Sequence, residues 1–170
     1  MEAGWEEIYH AEYRRLVALV AAVCGSRLEA EEAVQEAFLR AIGLTGRRPV
    51  VDDPAAWLYR VAVNVVRSRW RRAVVARRVN GRLAADPELQ DVRGSADATD
   101  ERLVLLAALR RLPFAQREAI ALHYLADLPL EAIAVRTEAP LGTVKARLAR
   151  GRAALAELLA DRVAEGTRHG

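Results

Sequence analysis

The arginines of residues 55–85 are the side chains whose type and spacing point most clearly to chemistry. This segment holds eight Arg and neither Asp nor Glu. At about 3.6 residues per turn, one face of a helix would carry Arg60, Asn64, Arg67 and Arg71. The residues expected to flank that stripe are Arg69, Arg72, Trp57 and Trp70. Guanidinium groups bind phosphates in a fork and indole rings stack on bases, so the segment predicts a surface for nucleic acid or another polyanion. The alternative is that the tryptophans are core residues.

A second basic pattern lies near the start of the last predicted helix. Val144, Leu148 and Leu155 fall on its expected buried side. The hydroxyl and basic side chains on its exposed stripe or at the edge of that stripe are Thr143, Lys145, Arg147 and Arg150. A short helix and a tight turn come before it. This order is typical of a helix-turn-helix, whose second helix enters the DNA major groove.

The third candidate surface is acidic. One side of the predicted second helix carries Glu32, Gln35, Glu36 and Leu39. The opposite side is apolar, as expected for a helix packed on a core. An acidic face with one exposed leucine suits a protein partner that carries basic residues, and the alternative is an ordinary solvated helix face.

Catalytic and metal-binding functions find little support in the sequence. It has no glycine-rich phosphate loop and no Gly-x-Ser-x-Gly motif. The three histidines are scattered, and no pair has the spacing of metal ligands. The single cysteine, Cys24, excludes an internal disulfide and a cysteine-cluster metal site. We therefore predict a protein that is not an enzyme and that holds neither a cofactor nor a metal.

Helical patterns supply the elements that must position these surfaces. The first helix is predicted over residues 5–24, and a Ser26–Glu29 capping box opens the second, which runs to about Ile42. Asp53 caps a third helix that has Pro54 at its first position and runs toward Trp70. A second helical unit begins near Asp100, with further helices over residues 113–125, 130–137 and 141–163.

These elements predict an all-α fold of two small helical domains joined by a flexible linker. We place the first domain at residues 1–73, the linker at 74–99 and the second domain at 100–165. The linker assignment follows from poor apolar spacing and from three turn-forming pairs, Asn80-Gly81, Asp86-Pro87 and Gly94-Ser95.

Charge and hydropathy restrict the remaining classes of protein. The net charge of +3 divides into blocks of −4, +8, −5 and +4 over residues 1–54, 55–85, 86–101 and 102–170. Such alternation is expected when different segments face different partners. The longest apolar run, Leu16–Cys24, is far shorter than the ~20 residues of a membrane helix. The first residues are acidic, unlike a signal peptide. We therefore expect a soluble, cytoplasmic protein.

In this order and at these separations, the motifs resemble those of bacterial extracytoplasmic-function (ECF) sigma factors, over about Trp5 to Arg162. Residues 31–41 resemble the region-two helix that docks on the polymerase clamp, and residues 57–64 resemble the promoter-melting segment. The segments that resemble region four are Leu112-Pro113, Gln116-Arg117-Glu118, residues 130–134 and residues 142–148. Departures from the commonest pattern are Thr137, Glu138 and Ala146.

The resemblance implies an alternative sigma factor that binds core RNA polymerase, recognises the −10 and −35 promoter elements and assists promoter melting. Contacts with the largest polymerase subunits would come from Glu32, Gln35, Glu36 and Leu39. Asn64 would lie at the pocket for a base flipped from the −10 element, and Arg60, Arg67 and Arg71 would hold nearby phosphates. The −35 element would be bound by Thr143, Lys145, Arg147 and Arg150. An anti-sigma factor is a common partner in the family, and the holoenzyme would associate with the nucleoid.

Two other functions are compatible with parts of the pattern. The first is a free-standing helix-turn-helix regulator of duplex DNA, which would need neither the acidic face nor the separate arginine-rich helix. The second is an all-helical interaction module whose arginine block binds an acidic protein. Binding to promoter DNA with and without core polymerase distinguishes the three.

Overall fold

The computed structural model describes residues 4–43, 52–80 and 100–168, and these contain seven α-helices and no β-strand. The chain divides into two compact units, Met1–Gln90 and Asp91–Gly170. The predicted all-α fold with two helical units is therefore confirmed.

Three helices form the first unit: α1 (Trp5–Cys24), α2 (Arg27–Gly43) and α3 (Pro54–Asn80). Local signals in the sequence fix where they begin and end. Gly25 ends α1 with φ of 81°, a left-handed conformation that glycine adopts without strain. The Glu29 backbone N–H donates to Ser26 Oγ across 3.2 Å at the start of α2. The Ala56 N–H donates to Asp53 Oδ1 across 2.9 Å at the start of α3.

The core of the first unit is formed where the apolar faces of its three helices meet. Its buried side chains include Leu16, Leu19, Val20 and Val23 of α1, Ala30, Val34, Ala37 and Phe38 of α2, and Leu58, Tyr59, Ala62 and Val65 of α3. Most of this set follows the apolar periodicity of each helix, because residues three and four apart fall on one helical face.

The end of α3 differs from the prediction. The helix continues to Asn80, about ten residues beyond Trp70, so residues 74–80 of the expected linker are helical. No glycine or proline interrupts the chain between Pro54 and Gly81, and arginine and alanine favour a helix. The rest of the predicted linker, residues 81–99, and residues 44–51 between the second and third helices lie outside the described residues.

Four helices form the second unit: α4 (Asp100–Arg110), α5 (Phe114–Tyr124), α6 (Leu130–Thr137) and α7 (Leu141–Arg168). Its buried core includes Leu109, Leu112, Ile120, Leu122, Ile133, Val144 and Leu148. A Cβ added at Gly151 would lie 3.1 Å from Ile120 Cγ1, so this glycine allows α5 and α7 to approach closely. Arg117 and Glu118 are also buried, which the sequence analysis did not predict. The last helix extends to Arg168, beyond its predicted end near Val163.

A tight turn joins α6 to α7. Glu138 caps α6 with φ of 52° and ψ of 40°, and the Ala139 N–H donates to the Ala134 carbonyl across 3.0 Å. A residue with a Cβ is disfavoured in this left-handed region. Glu138, one of the departures from the commonest family pattern, thus stands at a position where glycine would relieve strain.

Candidate protein-binding and nucleic-acid interfaces

An exposed stripe with alternating spacing of four and three residues runs along α2. Its members, which we call the α2 seam, are Leu28, Glu32, Gln35, Leu39 and Ile42, and all five are exposed. Leu28, Leu39 and Ile42 keep 69%, 69% and 56% of their surface accessible. This spacing is that of the contact stripe between two packed helices. The acidic pattern in the sequence predicted only the centre of the seam. Leu28 and Ile42 were not predicted, although their seven-residue spacing to Gln35 was a usable signal.

The acids on and beside the seam already have partners within the first unit. Arg69 Nη1 lies 2.9 Å from Glu32 Oε2, and Arg69 Nη2 lies 3.2 Å from Glu36 Oε2. The other Glu36 oxygen, Oε1, pairs with Arg40 Nη2 across 2.5 Å. The acidic face predicted from the sequence is therefore largely neutralised inside the protein.

The position of Arg69 corrects the prediction that it flanks the arginine stripe of α3. Residue 69 is nine positions after Arg60, which places it on the opposite side of the helix. That side faces α2, where its guanidinium meets Glu32 and Glu36. The spacing in the sequence gives the angular position of Arg69 around the axis of α3. Only the packing of α3 on α2 shows which carboxylates lie opposite it.

The two tryptophans of α3 also make contacts within the first unit. Trp70 Nε1 donates a hydrogen bond to Glu29 Oε1 across 2.9 Å. The Trp57 ring lies 6.2 Å from that of Trp5, centroid to centroid. Burial raises the pKa of the Glu29 carboxyl, and the Trp70 hydrogen bond and the charge of Arg69 oppose that rise. Both tryptophans are half-buried and contact residues of their own unit, so neither is a fully buried core residue as the alternative interpretation expected.

The four polar residues predicted on one stripe of α3 do share a face of that helix. Asn64 and Arg71 are exposed, and Arg60 and Arg67 are partly exposed. The opposite side buries Leu58, Ala62 and Val65. The result is a polar face with three guanidinium groups and one amide, which we call the α3 arginine face. It can bind phosphates and offer a base both a donor and an acceptor.

The second unit presents its basic residues at the start of α7. Lys145 and Arg150 are exposed, and Thr143 and Arg147 are partly exposed. Val144 and Leu148 are 0% and 2% exposed, which fixes the orientation of the helix. With α6 and the turn at Glu138, this is the arrangement of a helix-turn-helix with its second helix free to meet a groove.

A groove that the sequence analysis missed lies between α4, α5 and α7. Its volume is about 420 Å³, and its lining is almost wholly apolar, with Leu109, Ile120 and Leu155 among the lining residues. At its rim Arg152 Nη1 donates to the Tyr124 hydroxyl across 3.3 Å. No single-helix pattern marks such a groove, because three helices form it together.

The described residues offer no sign of two other kinds of site. Within residues 4–43, 52–80 and 100–168 there is no group of three His, Cys, Asp or Glu side chains arranged to hold a metal ion. None of the described helices combines the length and the apolar character needed to cross a membrane.

Two helical units, one with an exposed apolar seam beside an arginine-rich helix and one with a helix-turn-helix, are the arrangement of the sigma-70 class of transcription factor. Residues 8–82 match the family Sigma-70 region 2, and residues 102–155 match Sigma-70 region 4. The chain is 30% identical over 159 residues to the ECF RNA polymerase sigma factor SigM of Mycobacterium tuberculosis, covering 92% of this chain and 77% of the relative.

A second relative and a solved structure support the same family and fold. Identity is 30% over 166 residues with the ECF RNA polymerase sigma factor SigW of Bacillus subtilis, covering 92% of this chain and 84% of the relative. A solved structure of the same fold is the sigma factor RpoE in complex with the anti-sigma factor NepR from Bartonella quintana. It matches with a TM-score of 0.73 at 24% identity over 91% of this chain and 96% of that chain. The chain belongs to the ECF sigma factor family, whose members are alternative sigma factors that direct RNA polymerase to promoters.

Proposed function

We propose that each of the three surfaces serves one step of promoter recognition. The α2 seam binds core polymerase, the α3 arginine face binds the −10 element and assists melting, and the exposed start of α7 binds the −35 element. The functional domains are residues 1–73 and 100–165, and the connection between them, 74–99, begins with the last turns of α3 at residues 74–80. The protein catalyses no reaction itself, and it acts in the cytoplasm and on the nucleoid when in holoenzyme.

The observation that carries this proposal is that one compact unit holds both the α2 seam and the α3 arginine face. A regulator that only binds duplex DNA needs the helix-turn-helix and has no use for an exposed leucine seam. An interaction module that only binds an acidic protein has no use for the helix-turn-helix. A sigma factor needs all three surfaces, because it must hold polymerase and two promoter elements.

The α2 seam suits a helical partner that carries basic residues. Leu28, Leu39 and Ile42 would pack against apolar side chains of the partner helix, and each leucine buried contributes about 1.5–3 kcal/mol. Glu32 and Gln35 lie between them and would meet basic or polar groups. Such a mixed seam fixes the register of a helix pair as well as its affinity.

For the α3 arginine face, we assign the base contact to Asn64 and the phosphate contacts to Arg60, Arg67 and Arg71. An extruded base exposes its Watson–Crick edge, and an amide can both donate to it and accept from it. The arginines stand four residues before, three after and seven after the asparagine on the same face. These arginines would bind the DNA phosphates on either side of that base.

For α7, we assign −35 binding to Thr143, Lys145, Arg147 and Arg150. These residues lie at and near the N-terminal end of a helix whose inner side is anchored by Val144 and Leu148. The second helix of a helix-turn-helix contacts base edges with its first turns.

A test of the polymerase surface compares two substitutions of exposed apolar residues in the same unit. Leu39→Arg places a charge in the α2 seam, and Val79→Arg places one at the end of α3, where the valine is 78% exposed. We expect Leu39→Arg to weaken core polymerase binding at least tenfold, since it removes an apolar contact and introduces a charge that must be desolvated. Val79→Arg should bind like the unmodified chain in the same competition assay. Equal binding by both variants would show that the α2 seam is not part of the polymerase interface.

A test of the −10 assignment is Asn64→Ala. We expect promoter opening to fall about tenfold, because the variant loses one hydrogen bond of about 1–1.5 kcal/mol. Core binding should be unchanged. Opening is measured by permanganate reactivity of unpaired thymines, and core binding by competition. A parallel loss of both would contradict the role.

The two alternative functions are separated by one further measurement. A sigma factor of this kind binds specific promoter DNA weakly alone and strongly with core polymerase. A regulator binds specifically by itself, and an interaction module binds in neither state.

A further inference from the structure

Arg69 joins the two functional helices of the first unit. Its side chain starts on α3 and ends between two carboxylates of α2, with one guanidinium nitrogen on Glu32 and the other on Glu36. Glu32 is a member of the α2 seam, and Glu36 lies beside it. Arg69 therefore occupies the acids that a basic partner helix would use.

The packing of α2 on α3 does not depend on this contact alone. Trp70 bonds Glu29 across the same interface, and Leu58 and Ala62 of α3 are completely buried. The ion pairs of Arg69 are partly exposed, with side-chain accessibilities of 34% for Arg69 and 55% for Glu32. Such exposed pairs add little to stability, since hydration and lost side-chain freedom offset most of the attraction.

The same contact acts more strongly on partner binding than on folding. A basic group that approaches Glu32 meets a carboxylate whose charge is already compensated, together with a positive charge within about 3 Å of it. Binding must either displace Arg69 or tolerate repulsion from it. Leu28, Leu39 and Ile42 stay exposed along the seam, so the apolar part of docking is unaffected.

We infer that Arg69 is an intramolecular competitor of core polymerase for Glu32 and Glu36, and that it sets the affinity of the α2 seam below the value its acids could reach. This inference rests on the proposed role of the seam. It makes Arg69 a regulator of polymerase binding and not part of the DNA surface.

The test is Arg69→Met, which keeps the apolar stem and removes the guanidinium. The matched control is Arg72→Met, three residues further along α3, where the side chain donates to the Ser68 carbonyl of its own helix. Both variants lose one positive charge. Affinity for core polymerase is measured in the absence of DNA at several salt concentrations.

We expect Arg69→Met to bind core polymerase about two- to fivefold more tightly than the unmodified chain, because one or two exposed ion pairs no longer compete. Arg72→Met should change the affinity less than twofold. The gain should shrink as salt rises, since exposed charges are screened. Equal or weaker binding by Arg69→Met would overturn the inference and make Arg69 a brace for α2.

A second variant keeps the test decisive if Arg69→Met lowers the stability of the first unit. Arg69→Lys retains the charge but cannot place two nitrogens on two carboxylates. It should bind core polymerase more tightly than the unmodified chain and less tightly than Arg69→Met, and any other order counts against competition. If the unmodified chain itself fails to bind core polymerase, the proposed function fails. If it binds and Arg69→Met binds no more tightly, only this inference fails.

Discussion

The helices α3 and α7 are both rich in arginine, yet they use it differently. In α3 one side presents Asn64 and Arg71 to solvent, while the other side sends Arg69 to the carboxylates of α2. In α7 the buried side is apolar, with Val144 and Leu148 against its neighbours, and Lys145 and Arg150 point outward.

The difference comes from what lies across each interface. α2 carries glutamates next to its apolar face, so a cation on the inner edge of α3 finds partners there. The side of α7 that packs on α5 includes Gly151 beside Ile120, which leaves space only for close apolar contact. A basic residue in a helix is therefore a candidate for nucleic-acid binding only after its neighbours across the interface are known.

The largest effects should come from the two cores. Leu58→Ala in the first unit and Leu148→Ala in the second remove side chains that are 0% and 2% exposed. Each should lower the free energy of unfolding of its own unit by about 2–5 kcal/mol, through lost burial and a residual cavity. Hydrogen exchange followed along the full chain measures the loss in each unit. If either substitution lowered hydrogen-exchange protection in both units, the two cores would not be independent.

The next effect compares the two basic surfaces directly. Arg150→Ala should cost about 1–3 kcal/mol of promoter binding and should do so selectively for −35 sequences, if this side chain reads a base. Arg71→Ala should weaken binding evenly across sequences and lower the salt dependence by about one unit of slope, as expected for a phosphate contact. Both are measured with holoenzyme on promoter variants at several salt concentrations. A uniform loss for Arg150→Ala together with a sequence-selective loss for Arg71→Ala would contradict both assignments.

The smallest effect concerns Glu29, at the interface between α2 and α3. Burial raises the pKa of this carboxyl in the folded protein, so the folded state binds its proton more tightly than the unfolded state does. The first unit therefore loses stability as pH rises from the ordinary value of 4.5 through the raised pKa. Glu29→Gln keeps an oxygen to accept from Trp70 and removes this penalty.

We expect Glu29→Gln to melt at a higher temperature than the unmodified chain at pH 7, and the difference to shrink as pH falls toward 4.5. The control is Glu31→Gln, which removes an exposed ion pair with Arg27 across 2.8 Å and should lower stability by about 0.2–0.5 kcal/mol. A pH-independent difference for Glu29→Gln would mean that the lost charge has no part in it.

Much of the fold followed from local signals. Helix periodicity, the caps at Ser26 and Asp53, and the glycine at position 25 located most helix ends to within a residue or two, because these signals act over one or two turns. The end of α3 was misplaced since the apolar periodicity fades before Asn80 while helix propensity does not. The buried Arg117 and Glu118 were missed because charged residues carry no pattern that marks burial.

The candidate surfaces were predicted in part. The face shared by Asn64 and Arg71 and the exposed start of α7 follow from helical angle alone, and the assignment of DNA contacts to them stays a prediction. The extent of the α2 seam was underestimated, since its acidic residues mark only its centre and the seven-residue spacing marks its ends, Leu28 and Ile42.

By itself the sequence determined which residues share a helical face and where the helices of this sigma factor begin, because both depend on neighbours within a few residues. Only the tertiary structure decided that Arg69 bonds Glu32 and Glu36, that Trp70 bonds Glu29, and that three helices of the second unit enclose an apolar groove. Those contacts join residues more than 30 positions apart or on three separate helices. The packing of whole faces brings such residues together, and no repeat within one helix encodes which residues will meet.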